Sequence, residues 1–495
     1  MDKSNRANVV KKIIIRTDIE TFSPLRIGSG RTDGVTDILI LKNKQGKAFI
    51  PATSLTGVLR SLFSDIYAED AAKKLFGSID DDGNQSMINI SDIVFDEKSA
   101  DSEERIIHRD GVKIDHISGV AEKGAKYDFE ALDRGAKGRL SIEITVRRHD
   151  LDTSPAISIK HKNIQDAYGE LACIIADMLA GGIQVGSLTT KGYGEIKSPE
   201  AKCYEFDFEQ PDSADGWLAY IEDGGLKEDN CIYTAKENDA KDIEIGAREM
   251  AITAGFTMQS SLIVRDQDKS FFASDKESNV AGIQMESGGD YVIPGTSIKG
   301  VIQNKAFDIL MALTGNDEKK TDEYLKNIMG FASSKESDGD VETSGKKSCL
   351  YVKDIYIKKE NVNLINQTRN RIDRFTGGTI DGALFSEYPI ITNKKDEFYK
   401  KPYVIMNLRL KDCDKAQAGL MMLILRDFWT GSLPLGGGKS IGRGVLKGKS
   451  CCIRYKDENR QEHVFKLNQK DKLIIDGDKD LLQSYVDKLA GECND

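Results

Sequence analysis

The sequence predicts an α+β protein made of two homologous units in tandem, each compatible with a ferredoxin-like βαββαβ core that carries large insertions. The first observation is an internal repeat, in which IPATSLTGVL (50–59) returns as IPGTSIKGVI (293–302). The second is that each unit combines β-branched, alternating stretches with two amphipathic helical stretches. The length of 495 residues suits two large domains or three ordinary ones.

The repeat rests on three matched blocks in the same order, at a nearly constant spacing of roughly 250 residues. The second block pairs KIDHISGVAEKGAKYDFE, around Asp115, with RIDRFTGGTIDGALFSE, around Asp373. The third pairs TTKGYGEIK (189–197) with KSIGRGVLK (439–447). The alternative is a set of unrelated turn motifs, which would have to match in both order and spacing.

The elements of the first unit follow from its patterns. Residues 13–20 alternate and are β-branched, which predicts a half-buried strand. Residues 38–50 read as a hairpin around a polar turn. Thr53 or Ser54 is the expected cap of the helix that follows, and a second apolar helical stretch over 164–179 precedes the glycine-rich loop.

The second unit repeats this order. A strand is predicted over 251–257, then a helix capped by Thr296 or Ser297, and a second helix over 420–429 before the glycine-rich loop. We expect a first domain at 1–200, a linker or inter-domain insertion at 201–242, a second domain at 243–450 and a C-terminal extension at 451–495. The linker is expected because this stretch is acidic and contains Pro, Gly and Asn.

Composition excludes several classes of protein. No apolar run approaches the ~18 residues that a membrane span requires, and no apolar segment follows the N-terminal charges, so we expect a cytoplasmic protein. The eight cysteines form no CxxC pair and the five histidines form no HExxH, which argues against zinc sites and a disulfide framework. The net charge of −10 means that any nucleic-acid binding must be local.

The glycine-rich loops are the strongest candidates for binding. GSLPLGGGKSIGRGVLKG (431–448) is not a P-loop, because Leu433 stands where GxxxxGKS requires glycine. Glycines let the backbone approach a ligand, and the cations Lys191, Lys439 and Arg443 would neutralise phosphates. The alternative is a tight turn between a helix and a strand.

Two further features invite the same interpretation. The starts of the two capped helices offer unpaired N–H groups to anions, with Arg60 and Lys299 adding charge. The alternative is an ordinary strand end followed by a helix cap. The pairs Asp115-His116 and Asp373-Arg374 could contact RNA, or their acids could bond to their own turns.

These blocks resemble the signature motifs of the RAMP superfamily. The resemblance lies in IPATSLTGVLR and IPGTSIKGVI, in IDHISG and RIDRFTGG with GALF, and in GYGEIK and GGGKSIGRGVLKG. It is greatest to the backbone subunits of type III CRISPR effector complexes, and the tandem resembles their multi-domain members. The resemblance implies RRM-like domains that hold guide RNA through its phosphates, and a thumb-like hairpin that displaces bases of the guide–target duplex.

The resemblance and the loop chemistry together give a set of expected RNA-binding residues. They are Arg60, His116, Lys191, Gly192, Tyr193, Gly194, Lys299, Arg374, Lys439, Gly442, Arg443 and Gly444. Neither unit has the aromatic strand patterns of RRMs that read sequence, which favours backbone recognition. Guide pairing would then provide specificity.

The family also implies a catalytic acid between the first strand and the IPG block. Asp37 matches best and Asp33 is second, and on an extended segment both side chains would lie on one face. They could coordinate Mg²⁺ or another divalent cation, although both could equally be surface acids. The second unit has no Asp at the equivalent place in NVAGIQMESGGDYVIP (279–294), so Gln284→Ala is expected to change nothing in the cutting of target RNA.

The leading hypothesis is therefore an endoribonuclease subunit of a type III ribonucleoprotein. It would bind CRISPR guide RNA, complementary target RNA and the other effector subunits, and cut target RNA with its first unit. A non-catalytic RNA-binding scaffold is the principal alternative. A nuclease that matures the guide precursor is a third, and a P-loop NTPase is the least supported.

Overall fold

The computed structural model describes residues 8–32, 36–67, 69–78, 85–96, 105–115, 121–152, 157–237, 246–266, 280–331, 334–335, 342–343, 345–393, 403–470 and 472–494. The chain forms two compact units. The first comprises 1–111, 127–189 and 194–244, and the second comprises 112–126, 190–193 and 245–495. Both units mix helices with sheets, which confirms the predicted α+β tandem.

Strands and helices are interspersed along the chain up to residue 236. The strands are β1 (Val9–Thr21), β2 (Phe49–Ile50), β3 (Ile88–Ile90), β4 (Ile93–Val94), β5 (Ile106–Ile114), β6 (Ala121–Leu132), β7 (Lys137–Arg147), β8 (Ile183–Gln184), β9 (Glu195–Lys197), β10 (Glu200–Asp207) and β11 (Cys231–Lys236). The helices are α1 (Ala52–Tyr67), α2 (Glu69–Phe76), α3 (Arg148–Leu151), α4 (Ala167–Gly181) and α5 (Pro211–Asp223).

The remaining elements all follow residue 248. The strands are β12 (Glu249–Met258), β13 (Arg265–Asp266), β14 (Val280–Gln284), β15 (Glu286–Ser287), β16 (Asp290–Ile293), β17 (Ser334–Lys335), β18 (Glu342–Thr343), β19 (Leu350–Val352), β20 (Ile355–Ile357), β21 (Val362–Leu364), β22 (Gln367–Arg369), β23 (Phe385–Tyr388), β24 (Ile390–Thr392), β25 (Val404–Leu410), β26 (Leu446–Lys456), β27 (Glu462–Gln469) and β28 (Leu473–Asp476). The helices are α6 (Gly295–Leu313), α7 (Glu318–Met329), α8 (Lys415–Thr430) and α9 (Lys479–Asn494).

The main sheet of the first unit has the order β11-β10-β1-β7-β3. Its central strand β1 is buried on both faces at its middle. Ile13 and Ile15 pack into the main core, whereas Ile14 packs with Tyr204 and Phe206 in a second cluster. The sequence predicts a half-buried strand here, and α5 on the other face accounts for the difference.

The segment 201–242, predicted as a linker or insertion, contributes to this sheet. Strand β10 pairs antiparallel with β1, from Lys11↔Asp207 to Thr17↔Ala201, and β11 pairs with β10. Pairing of this kind joins residues far apart in sequence, so the acidic, Gly-containing composition gives no sign of it. The structure thus places this segment within the first unit.

The main sheet of the second unit has the order β19-β25-β12-β26-β27-β28. Strand β26 runs through the boundary expected at 450/451 and pairs with the central strand β12 along most of its length. Helix α9 packs against α8, with Tyr485 fully buried. Residues 451–495 therefore complete the second unit.

The equivalent helices α1 and α6 are capped by distant acids. Ala52 N donates to Asp92 Oδ1 at 2.7 Å, and Gly295 N donates to Asp354 Oδ1 at 2.7 Å. The expected caps, Thr or Ser of the TS pairs, lie inside the helices instead. Each helix start thus already has one N–H group bonded to a carboxylate, whose negative charge competes with an external phosphate at that place.

The predicted turn of the 38–50 hairpin is confirmed. Asn43 N donates to Lys47 O at 2.8 Å, and Lys42 and Ala48 form an antiparallel bridge. Among the described residues, no helix is both long and apolar enough to span a membrane.

Candidate nucleic-acid interface

The two glycine-rich loops have the same backbone geometry. In the first, Val185 N donates to Gly194 O at 2.9 Å, and in the second Leu435 N donates to Gly444 O at 3.0 Å. Each loop contains a short 3₁₀ turn, Thr189–Lys191 and Lys439–Ile441. The third repeat block is therefore a structural repeat as well as a sequence repeat.

The glycines of these loops differ in what surrounds them. Gly444 has φ of +78°, and a Cβ there would lie 1.8 Å from Leu435 O; Gly194 has a similar conflict with Val185 O at 2.0 Å. Gly442 also has positive φ but no atom within 4 Å of its Cβ position. The tight-turn interpretation thus explains why Gly194 and Gly444 are glycines. Of the other two expected glycines, Gly442 is exposed and Gly192 is buried.

The expected cations of the loops differ in how far they are exposed to solvent. Lys439 is exposed, while Lys191 is half-buried. Arg443 is 3% exposed and its Nη1 lies 2.8 Å from Glu387 Oε2, and Tyr193, at the equivalent position of the first loop, is also buried. The guanidinium of Arg443 therefore does not face solvent, contrary to the expectation of a direct phosphate contact.

Lys299 and Arg60 likewise have internal partners. Lys299 is 5% exposed and its Nζ donates to Ser348 Oγ at 2.7 Å and to Leu350 O at 2.8 Å. Burial lowers the pKa of Lys299 to about 7. Arg60 is partly exposed and donates to Gly77 O and Glu69 Oε1, which tie α1 to α2. Lys299 is therefore buried, whereas Arg60, whose side chain is 37% exposed, is held by two internal partners.

An exposed hairpin occupies the RIDRFTGG block. Strands β22 and β23 form its base, and between them Ile372 bridges Thr379. We call residues 371–384 the tip hairpin. Phe375 at its end is 98% exposed and Arg374 beside it is exposed as well.

Asp373 shapes the end of the tip hairpin. Its Oδ1 accepts from Thr376 N at 2.8 Å and from Phe375 N at 2.9 Å. These backbone hydrogen bonds lower the pKa of Asp373. The turn-acid alternative is thus correct for Asp373, while Arg374 remains a candidate for RNA contact.

Three arginines surround one buried glutamate at the base of the tip hairpin. Glu387 lies opposite Gln367 in the β22–β23 pair, and its carboxylate is 2.7 Å from Arg265 Nη2, 2.8 Å from Arg443 Nη1 and 3.7 Å from Arg369 Nε. Burial alone would raise the pKa of Glu387, but the hydrogen bonds and charges of Arg265 and Arg443 outweigh it and lower that pKa. We call these four residues, Glu387 and the three arginines, the arginine cluster.

Sequence reasoning missed Arg265, Arg369 and Glu387. Glu387 does lie within the second repeat block, but nothing in its spacing indicates arginines around it. Arg265 comes from a strand more than 100 residues earlier and crosses Gly282, whose Cβ position is 2.9 Å from Arg265 Cγ. Only the sheet order β13-β14-β23-β22 brings these residues together.

Asp37 lies on the surface of the first unit. It is exposed, and its Oδ2 accepts from Asp128 N at 2.9 Å. The following residue, Ile38, forms a parallel bridge with Phe129, just as Gly282 pairs in parallel with Glu387 in the second unit. Asp33 and His116 lie outside the described residues.

Asp37 is the described candidate for holding a divalent cation. Within the described ranges, no group of three or more His, Cys, Asp or Glu side chains could hold a metal ion. Mg²⁺ commonly binds through only one or two carboxylates together with water and phosphate oxygens. The exposed Asp37 carboxylate, anchored through one oxygen, fits that mode of binding.

Gln284 is a buried structural residue of the second unit. It is fully buried, accepts from Val264 N at 2.8 Å and donates to Val292 O at 2.9 Å. Gln284→Ala should therefore lower the free energy of unfolding by about 1–3 kcal/mol, because it leaves these buried groups without partners. Thermal unfolding would measure the loss, with the exposed Gln461→Ala as control; equal melting temperatures would contradict the structural role.

Two α+β units with equivalent glycine-rich loops are the mark of a tandem protein derived from an internal repeat. The chain belongs to the RAMP superfamily, whose family model matches residues 18–197 and 253–447. No curated protein matches it. A chain in the cryo-EM structure of the type III-B Cmr-beta bound to cognate target RNA is similar at 15% identity and a TM-score of 0.29. The similarity covers 39% of this chain and 61% of that one, and at this level it adds nothing about function.

Proposed function

We propose that the protein is a backbone subunit of a type III CRISPR ribonucleoprotein that holds guide RNA through its phosphates. The observation that carries the proposal is the tip hairpin with the arginine cluster at its base. The cluster has three guanidinium groups to one carboxylate, on a chain whose net charge is −10. Such a local surplus of cations suits a polyanion.

The partners follow from the family. Guide RNA would lie along the units, complementary target RNA would pair with it, and neighbouring effector subunits would complete the ribonucleoprotein. Base pairing supplies the specificity, so the protein itself needs to contact only the backbone.

We assign target-RNA cleavage to the first unit, at Asp37. In this chemistry the target's own 2′-hydroxyl would attack the adjacent phosphorus and lose its proton to water, while the bond to the 5′-oxygen of the next nucleotide breaks and that oxygen takes a proton from water. The protein would hold the linkage in line. Asp37 would keep its orientation through the bond from Asp128 N and would hold a divalent cation. Such a cation would stabilise the charge that develops on the phosphate oxygens.

The non-catalytic scaffold remains the second candidate. Asp37 is the described member of the expected acid pair, and the second unit has no Asp at the equivalent place in residues 279–294. A scaffold would bind guide and target RNA without cutting either.

The RNA that copurifies with the full-length protein from its native cells tests the proposal. We expect small RNAs of uniform length with a shared 5′ end, because guide RNAs are processed at a fixed position. RNA of random sequence and length, or none, would contradict guide binding.

Lys439 and Arg443 should respond differently to substitution. Lys439→Gln removes an exposed cation, so the plot of log affinity for guide RNA against log salt should become shallower by about 0.7. Arg443→Ala removes a buried partner of Glu387 and should cost about 3 kcal/mol of folding stability. An unchanged salt dependence for Lys439→Gln would rule out its phosphate contact, and an unchanged melting temperature for Arg443→Ala would rule out the structural role.

Phe375 should act on RNA without contributing to stability. Its ring is 98% exposed, so Phe375→Ala should leave the melting temperature unchanged. Base–aromatic stacking contributes about 1–3 kcal/mol, so affinity for guide–target duplex should fall about 5- to 160-fold. Leu218→Ala, another exposed apolar residue, is the control. Equal affinities of the Phe375→Ala and wild-type proteins would exclude stacking by the tip hairpin.

A further inference from the structure

The arginine cluster has more positive charge than its internal partner can neutralise. Three guanidinium groups face one carboxylate, and the glutamate that carries it is only 1% exposed. Like charges held this close repel one another in a partly buried setting. A second anion at this place would relieve the repulsion.

The three arginines are not equally accessible. Arg443 is buried and spans Glu387 and Gln367, so it fixes the carboxylate from inside. The side chains of Arg265 and Arg369 are 54% and 33% exposed. Each is therefore in part accessible to solvent and retains N–H donors beyond its contact with Glu387.

The tip hairpin has no net negative charge that could neutralise the arginine cluster. Its arginines, Arg371 and Arg374, are matched by Asp373 and Asp381, and Asp373 is bonded to its own turn. The surplus is thus confined to the base of the hairpin, on the sheet β13-β14-β23-β22.

Another arginine of the second unit forms an ordinary ion pair with a single acid. Arg454 on β26 is 31% exposed and pairs with Glu462 at 2.7 Å. This pair has matched charges, whereas the arginine cluster has a surplus of two.

We propose that Arg265 and Arg369, held in place by Glu387 and Arg443, form a binding site for an RNA phosphodiester. Two fork-shaped guanidinium groups on a rigid sheet suit the two non-bridging oxygens of one phosphate. The site rests on the proposed function for the identity of its ligand. It places a phosphate at the base of the tip hairpin, whose far end carries Phe375.

The test measures binding of a labelled single-stranded RNA of about 12 nucleotides to the full-length protein, stripped of bound RNA, over a range of salt concentrations. The double variant Arg265→Gln/Arg369→Gln should make the log–log salt slope shallower by about 1.4, or about 0.7 per arginine. Arg454→Gln is the matched control and should leave the slope unchanged. Arg369→Lys, which keeps the charge, should retain more of the slope than Arg369→Gln.

Thermal unfolding of each variant establishes that it is folded, since Glu387 keeps Arg443 as a partner in the double variant. If the wild-type protein binds RNA and the double variant has the same slope, this site is excluded while guide binding stands. If the wild-type protein binds no RNA at all, the proposed function fails, and this site fails with it.

Discussion

Asp37→Asn is expected to abolish cutting of target RNA at one position while leaving guide and target binding unchanged. The amide keeps the shape of the carboxylate and an oxygen to accept from Asp128 N, so the local backbone should be preserved. It removes the charge that would hold a divalent cation beside the scissile phosphate. The loss should exceed about 100-fold in the cleavage rate, the range seen when one electrostatic group is removed from an active site.

A labelled complementary RNA, incubated with the assembled complex in Mg²⁺ or in chelator, measures this effect. Asp96→Asn, another exposed acid of the first unit that pairs with Lys47, is the matched control and should cut normally. Asp33→Ala should have a smaller effect than Asp37→Asn. Cutting at all positions at the normal rate by Asp37→Asn would contradict the catalytic assignment and favour the scaffold.

Gly444→Ala is expected to cause a large loss of stability of the second unit. Its Cβ would lie 1.8 Å from Leu435 O, and φ of +78° is unfavourable for any residue with a side chain. Relief would break the hydrogen bond from Leu435 N to Gly444 O. Together these effects should cost about 4 kcal/mol, among the largest for a single substitution.

Gly442→Ala is the matched comparison within the same loop. It has a similar φ but open space around its Cβ position, so only the backbone strain of about 1–2 kcal/mol remains. Thermal unfolding and RNA binding are measured on both variants. Equal melting temperatures for the two would mean that the close approach of the loop to Leu435 is not tight in solution.

Local signals in the sequence were sufficient for the fold class. The repeated IPxTSxxG and glycine-loop blocks indicate two units, and in the structure the third block closes both loops with equivalent hydrogen bonds. The polar turn at Asn43 was also predictable, because its side chain bonds to its own backbone nearby.

Tertiary partners were not predictable from those signals. The helix starts at Ala52 and Gly295 looked open to phosphates, but Asp92 and Asp354 reach them from segments 40 to 59 residues away. Lys299 looked like a surface cation on an amphipathic helix, and only the packing of Leu350 and Ser348 shows that it is buried. The spacing of residues in the sequence predicts the helix or strand on which a residue lies, but not which distant residue contacts it in the folded protein.

Ultraviolet cross-linking of the guide-loaded complex, followed by mass spectrometry of the linked peptides, tests most directly whether the tip hairpin and arginine cluster contact RNA. The proposed function predicts cross-links in peptides that contain Phe375 and in those next to Arg369, with fewer in the double variant Arg265→Gln/Arg369→Gln. Cross-links confined to other surfaces, such as α5 or α9, would contradict it.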